Sequence, residues 1–279
     1  MNYDNIAQLI CDILREDIGS RDITTELTIP KSAAIKAILL TKEDCVVCGL
    51  GICQLVFKTQ DKRIKFKPVV QEGVITKKGQ ILAKIEGSAR SILTAERVAL
   101  NFISFLSGVA TKTREYVQAV KPYRVKIIDT RKTIPGLRIL EKYAVRIGGG
   151  YNHRMSLDEM VLIKDNNIKI LRNFKKLSKL PRRAVLEIEV KNLREFREAL
   201  KLRPDIIMLD NMSTSVMREA VRIRNRLCIN CNPRRPQLEA SGGINLKNIK
   251  KVAACRVDMI SIGALTHSVK STDISLEVL

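Results

Sequence analysis

From residue 125 onward the chain alternates short apolar runs with helical patterns, and this alternation restricts the fold more than any other feature. The runs fall at 125–128, 160–163, 184–190, 205–209, 237–240 and 258–262. Strands and helices repeating in this way bury their apolar surface as a parallel sheet covered by its own helices. Each run ends on chemically distinctive residues: Asp129-Thr130-Arg131-Lys132, Lys164-Asp165-Asn166, Glu189, Asp210-Asn211, Ser241-Gly242-Gly243 and Gly263-Ala264. Ligands of α/β barrels and open α/β sheets bind at the carboxyl ends of the strands, so these ends, converging on one face, make one site. The strand count falls short of a closed barrel. The expected fold is therefore α/β: an incomplete, open barrel of parallel strands with an N-terminal α+β domain.

The first third of the chain follows a different pattern. Ile6, Leu9, Ile10, Ile13 and Leu14 recur at helical spacing before Gly19, which predicts an amphipathic helix over 4–18. Asp22-Ile23-Thr24-Thr25 reads as a turn or strand entry. Strand patterns at 35–41, 63–70 and 80–85 are separated by Glu72-Gly73, Lys78-Gly79 and a helix around 51–57. Cys48-Gly49-Leu50-Gly51 lacks the third glycine of a dinucleotide fingerprint. A long apolar helix over 91–107 contains Glu96 and Arg97, and a cation in so apolar a helix needs an acidic partner or a surface position. The expected domains are 1–108 and 109–267, with 268–279 packing back onto the first.

Composition narrows the function. The 279 residues are 45% hydrophobic, enough for a full-size core. No apolar run approaches the roughly 18 residues of a membrane span, and the acidic first turns do not resemble a secretory leader, so a cytoplasmic protein is expected. The net charge of +21 suggests nucleic acid first. Yet the cations are spread along the chain, aromatics are only 4% and Trp is absent, which leaves little for base stacking. A basic nucleic-acid-binding protein stays as the non-enzymatic alternative. Seven cysteines without framework spacing argue against a disulfide scaffold. Cys45/Cys48 and Cys228/Cys231 could form a four-thiolate zinc site, but the first pair sits in an apolar strand and reads as core.

The stretch 127–167 concentrates the chemistry. Two strands end in cations, Arg131-Lys132 and Lys164, and a loop of Gly148, Gly149 and Gly150 carries His153-Arg154 between them. Guanidinium and ammonium groups beside free backbone amides suit a small, multiply anionic ligand; the plainer reading is a solvated basic loop. Glu187 and Glu189 are two apart in a strand and share a face, the barrel interior. Glu189 with Asp210 makes a magnesium site that also uses phosphate oxygens, unless these acids simply pair with Arg131 or Lys164. Ser241-Gly242-Gly243 and Gly263-Ala264 offer backbone amides to phosphate. Both histidines, His153 and His267, lie near these strand ends.

The same residues carry a resemblance. DTRKT-x-PGLR-x-L-x-KYAV-x-x-GGG-x-NHR over 129–154, followed by LIKDN at 162–166, resembles the signature of the quinolinate phosphoribosyltransferases, decarboxylating enzymes that make nicotinate mononucleotide. The likeness continues through Glu187-Ile188-Glu189-Val190, Met208-Leu209-Asp210-Asn211, Glu239-Ala240-Ser241-Gly242-Gly243 and 263–268, with weaker echoes at 14–17 and 22–25. It implies a quinolinate pocket of Arg131, His153, Arg154 and Lys164, with Arg97 arriving from a partner subunit. It also implies contacts to 5-phosphoribosyl 1-pyrophosphate from Lys132, Glu189, Asp210, Ser241, Gly242, Gly243, Gly263, Ala264 and His267. Lys132, Lys164, Glu189 and Asp210 would carry catalysis, Glu189 and Asp210 would hold Mg2+, and the protein would form a homodimer, with a hexamer as the larger option. The sequence departs from the family pattern at Asn167, where a His is common, and at Arg256 and Arg21, where a Gly is usual. Rival enzymatic readings are a phosphoribosyltransferase acting on another base and an aldolase using Lys164 as a Schiff base.

Overall fold

The computed structural model describes residues 3–171, 185–227 and 235–279. The chain divides into two compact units, one of Met1–Lys112, Pro135–Gly148 and Val269–Leu279, the other of Thr113–Ile134 and Gly149–Ser268.

The first unit opens with α1 (Tyr3–Ile18). Ile6, Ile10 and Leu14, one helical turn apart, are buried, and the helix packs on α3 (Leu50–Gln60). A short helix, α2 (Ile23–Thr28), stands where the sequence suggested a turn or strand entry. Asp22 explains it: one carboxylate oxygen accepts the Thr25 N–H at 2.9 Å and the other accepts the Thr94 hydroxyl at 2.9 Å. Caps of this kind stabilise a helix by about 1 kcal/mol. Strands β1 (Ala34–Thr41), β3 (Lys65–Pro68) and β5 (Ile81–Ser88) form an antiparallel sheet with the last strand of the chain, β12 (Ile274–Val278), in the order β12-β1-β5-β3. A separate ladder joins β2 (Cys45–Val46) to β4 (Ile75–Thr76). Cys45, Cys48 and Cys53 are buried free thiols, and burial pushes Cys48 and Cys53 far up, as in inert core cysteines. Cys228 and Cys231 lie outside the described residues.

Helix α4 (Ala89–Ala119) is longer than the sequence pattern suggested. By length and composition it could cross a membrane, since Glu96 and Arg97 interrupt its apolar run without breaking it; 61% of that stretch is buried within the protein, as in a core helix. Helix α5 (Arg138–Ile147) belongs to the first unit and buries Leu140, Ala144 and Val145.

In the second unit six parallel strands form one open sheet, in the order β6-β11-β10-β9-β8-β7. They are β6 (Lys126–Ile128), β7 (Val161–Ile163), β8 (Leu186–Val190), β9 (Ile206–Asp210), β10 (Gln237–Ser241) and β11 (Met259–Ser261). All six expected runs are strands, and their edges do not close. Helices α6 (Asp165–Leu171), α7 (Leu193–Lys201), α8 (Thr214–Leu227), α9 (Ile249–Ala253) and α10 (Ala264–His267) complete the unit.

Register sorts the side chains into two faces. Ile188, Ile207, Leu209, Leu238, Ala240 and Ile260 share one face and are fully buried. Helices α7 and α8 add Phe196, Ala199, Met217 and Ala220 to this core; burying Phe196 alone contributes about 2 kcal/mol. The opposite face carries Glu187, Glu189, Met208, Asp210, Glu239 and Ser241, because Glu189 and Glu239 both pair in register with Met208, and Asp210 pairs with Ser241. A fully apolar sheet would read as two hydrophobic faces. Here one face carries four acids, Glu187, Glu189, Asp210 and Glu239.

Candidate active site

The strand ends form a graded series of charges. Lys164, just after β7, holds its ammonium 4.0 Å from Glu189 on β8. Burial, then the neighbouring charge of Asp210, pushes the Glu189 carboxyl up, while Lys164 opposes the shift. Two carboxylates repelling each other at a partly covered strand end favour a bound cation. Lys191, which the sequence reading did not single out, pairs with Asp165 beside them at 2.6 Å. Lys164 is half-exposed and faces a carboxylate, unlike the dry lysine that a Schiff-base enzyme needs.

At the other edge the Asn152-His153-Arg154 segment is clamped to the end of β6. Asp129, fully buried, accepts the His153 N–H at 2.8 Å and the Asn152 side-chain N–H at 2.6 Å. The Arg154 guanidinium donates to the Met160 carbonyl at 3.0 Å. Burial, then repulsion from Arg131, lowers the Arg154 pKa, with Glu187 opposing. Arg131 keeps a buried Nε that has no hydrogen-bond partner. Two crowded guanidinium groups, one with an unused buried donor, are prepared for an anion with more than one carboxylate or phosphate oxygen.

Beneath them lies a buried cluster that the sequence reading missed in part. His153 Nε2 stands 3.0 Å from Glu187 and 3.6 Å from Glu239. Both glutamates are fully buried, and among the described residues none of their four oxygens has a hydrogen-bond partner beyond these ion-pair contacts. The three side chains offer ligand atoms within 4.8 Å of one another, a spacing that could suit a metal. The imidazole argues otherwise. Nδ1 accepts the Arg154 N–H at 2.7 Å, so the proton of the neutral ring sits on Nε2, which then has no lone pair for an ion. Burial, then the charge of Glu187, raises Glu239 well above the usual carboxylate range. Glu239 belongs to β10, and its alternation with Ser241 was the signal that could have exposed it.

A test follows from the sign of that shift. A carboxyl whose folded pKa is raised destabilises the fold above that pKa and ceases to do so as pH falls toward its unfolded value. Glu239→Gln, which removes the charge and keeps a polar amide of the same shape, is therefore expected to be more stable than the native chain above the raised pKa. In urea unfolding the gain should shrink as pH is lowered through the raised pKa. A gain that does not change with pH would exclude a destabilising charge at Glu239.

The remaining strand ends bring glycines and cations together. A Cβ on Gly263 would lie 3.1 Å from the Lys132 side chain and 3.1 Å from the His267 ring, so the glycine lets both cross it. Thr266 fixes this corner by donating its hydroxyl to the Lys132 carbonyl at 2.7 Å, and Ala264 opens the short α10 beside it. Gly242 and Gly243, after β10, have φ of +91° and +62°, a left-handed pair open to few other residues. The structure thus brings together Arg131, His153 and Arg154; Lys164, Glu189 and Asp210; Lys132, Gly263 and His267; and Asp210, Ser241 and Gly242. Arg97 is exposed on α4 in the first unit and belongs to none of these groups.

Comparison with known proteins decides what this arrangement belongs to. Residues 22–107 match the model of the N-terminal domain of quinolinate phosphoribosyl transferase, and residues 109–277 match that of its C-terminal domain. The chain belongs to the quinolinate phosphoribosyltransferase family. It is 43% identical to a probable nicotinate-nucleotide pyrophosphorylase (carboxylating) of Methanocaldococcus jannaschii, over 100% of this chain and 99% of that one. A Bacillus subtilis protein of the same name is 38% identical, over 100% and 95%. The solved nicotinate-nucleotide pyrophosphorylase of Francisella tularensis superposes with a TM-score of 0.91 at 39% identity, covering 100% of this chain and 98% of that one.

As a quinolinate phosphoribosyltransferase, the chain shows how its departures are accommodated. Asn167 accepts the Lys164 N–H at 2.9 Å through its side chain and so holds the residue beside which it differs from the family. Arg256 has φ of +65°, the left-handed conformation that explains why glycine is usual there. Arg21 precedes the Asp22 cap.

Proposed function

We propose that this chain transfers the phosphoribosyl group of 5-phosphoribosyl 1-pyrophosphate to quinolinate, releasing pyrophosphate and carbon dioxide and forming nicotinate mononucleotide for pyridine-nucleotide synthesis. The observation that carries this reading is the crowded pair Arg131 and Arg154, with the unpartnered Arg131 Nε, on the same strand-end face as the acids Glu189 and Asp210. The guanidinium groups, with Lys164 and the His153 segment, hold the two carboxylates of quinolinate and aim the pyridine nitrogen at the anomeric carbon. Lys132, the Ser241-Gly242-Gly243 loop, Gly263, Ala264 and His267 hold the phosphates. Nitrogen attack forms the bond to the anomeric carbon as the carbon–oxygen bond to pyrophosphate breaks. The ring nitrogen is then positive, and loss of the adjacent carboxylate as carbon dioxide leaves a carbanion that this charge stabilises until it takes up a proton. Electrostatic preorganisation suffices for this, without a nucleophile.

Glu189, whose carboxyl is raised by burial and then by the charge of Asp210, makes with Asp210 an oxygen-only pair that fits Mg2+. When bound, the ion neutralises charge on the departing pyrophosphate. We further propose a homodimer in which Arg97 completes the partner's site; its exposure on α4 supports this. A cytoplasmic location is supported by the free thiols of all described cysteines; plant relatives of the chain are named as mitochondrial or chloroplastic.

The experiment is incubation with carboxyl-labelled quinolinate, phosphoribosyl pyrophosphate and Mg2+. Labelled carbon dioxide should appear with equimolar pyrophosphate, and nicotinic acid should be a poor substitute, because a single carboxylate leaves a buried guanidinium unpaired. Ready use of nicotinic acid without use of quinolinate would assign the site to another base.

A further inference from the structure

Asn211 follows Asp210 at the end of β9. Its φ is +52°, a region that Asn tolerates better than most residues. Three contacts hold it there. Its N–H donates to the Ser241 carbonyl at 2.9 Å, and its side-chain N–H donates to an Asp210 carboxylate oxygen at 3.0 Å. Its amide lies flat against the next glycine: a Cβ built on Gly242 would overlap the Asn211 oxygen and lie 2.5 Å from its Cγ and 2.7 Å from its Nδ2. One exposed side chain thus touches both an acid and a glycine loop on neighbouring strands.

We propose that Asn211 is a positioning residue that fixes the Asp210 carboxylate and the Gly242-Gly243 turn in one geometry, so that both meet the same pyrophosphate group. The inference rests on the function proposed above, in which Asp210 and this loop face the diphosphate of phosphoribosyl pyrophosphate. The residue type fits the task. The place needs a short side chain tolerant of positive φ, with a donor for the carboxylate and a flat shape that clears a glycine Cα. Asp would set a second negative charge against Asp210, and Gln is too long to lie across the turn. The glycine at 242 is then required twice over, by its own φ of +91° and by the amide that occupies the space of a side chain. Quinolinate is assigned to other residues, Arg131, His153, Arg154 and Lys164, so its binding should not depend on this contact.

The test uses Asn211→Gly in the full-length protein, a substitution that keeps the backbone conformation and removes only the amide. The KM for phosphoribosyl pyrophosphate should rise about tenfold, the usual cost of losing a hydrogen bond to a charged group, while the KM for quinolinate and the melting temperature stay put. Calorimetric binding of magnesium pyrophosphate, in the absence of turnover, should weaken by the same factor. Gly242→Ala should show the same selective defect. The double variant should be no worse than Gly242→Ala alone, because the amide that the methyl meets is gone; independent sites would instead multiply their effects. Unchanged magnesium pyrophosphate binding by Asn211→Gly overturns the inference, as do equal losses for both substrates or multiplicative effects in the double variant. Wild-type protein that binds magnesium pyrophosphate but ignores quinolinate would overturn the proposed substrate and leave Asn211's role standing; failure to bind magnesium pyrophosphate overturns both.

Discussion

Glu189→Ala and Asp210→Ala should each lower turnover by about two to three orders of magnitude, the usual loss when a preorganised electrostatic contact to the transition state is removed. Folding should survive both changes. Asp210 ends its strand and is only half-buried, and the raised pKa of Glu189 comes from burial and from Asp210 itself. Removing either carboxylate relieves a repulsion in the free protein and takes away a ligand for the cation proposed there. The two variants should therefore keep native circular dichroism and melt at or slightly above the wild-type temperature, while saturation with Mg2+ demands far higher concentrations. Near-normal turnover across a Mg2+ titration would make both acids structural.

Arg97→Ala should be as inactive as Lys132→Ala, yet the two together should restore activity. Arg97 projects from an apolar helix in the first unit, where its immediate acidic neighbour, Glu96, is raised chiefly by burial and only partly relieved by the guanidinium. A cation so placed can serve a site across a subunit interface. When the two inactive variants are unfolded and refolded in equal amounts, random pairing makes about half the dimers mixed. Each mixed dimer holds one site lacking both groups and one intact site, so roughly a quarter of wild-type activity should return. Mixed dimers that form but stay inactive would return Arg97 to its own chain's chemistry or remove it from catalysis.

Much of the second unit was legible because parallel strands announce themselves as apolar runs, and all six became strands within a residue or two of their expected limits. Local polar chemistry was less legible. Asp22 reads as a turn residue; it caps α2 through the Thr25 N–H, and the Thr94 hydroxyl that holds its other oxygen comes from far along the chain. The amphipathic face of α5 predicts burial but not its company, and the helix packs with the first unit although its flanks lie in the second. At the site, the cations and acids at strand ends were visible as charges interrupting apolar runs. Glu239 was less so: its alternation with Ser241 places it on the polar face, but nothing local shows that His153 and Glu187 meet it there. Asn211 was hidden for a similar reason: its task is set by the φ of +52° and by a glycine on the next strand, neither of which is written in its neighbours.

The antiparallel sheet of the first unit sets β12 beside β1, pairing Ala37 with Val278 and Thr41 with Ile274. During synthesis β1 leaves the ribosome long before its partner on that side, β12, emerges. Until then β1 presents a bare row of N–H and C=O groups, the template on which nascent chains mispair. The first unit can collapse early but cannot close its sheet until β12 is made. Loss of β12 alone is thus a folding lesion in the N-terminal half, and it should appear as aggregation of newly made chains before any loss shows in the chemistry of the finished enzyme.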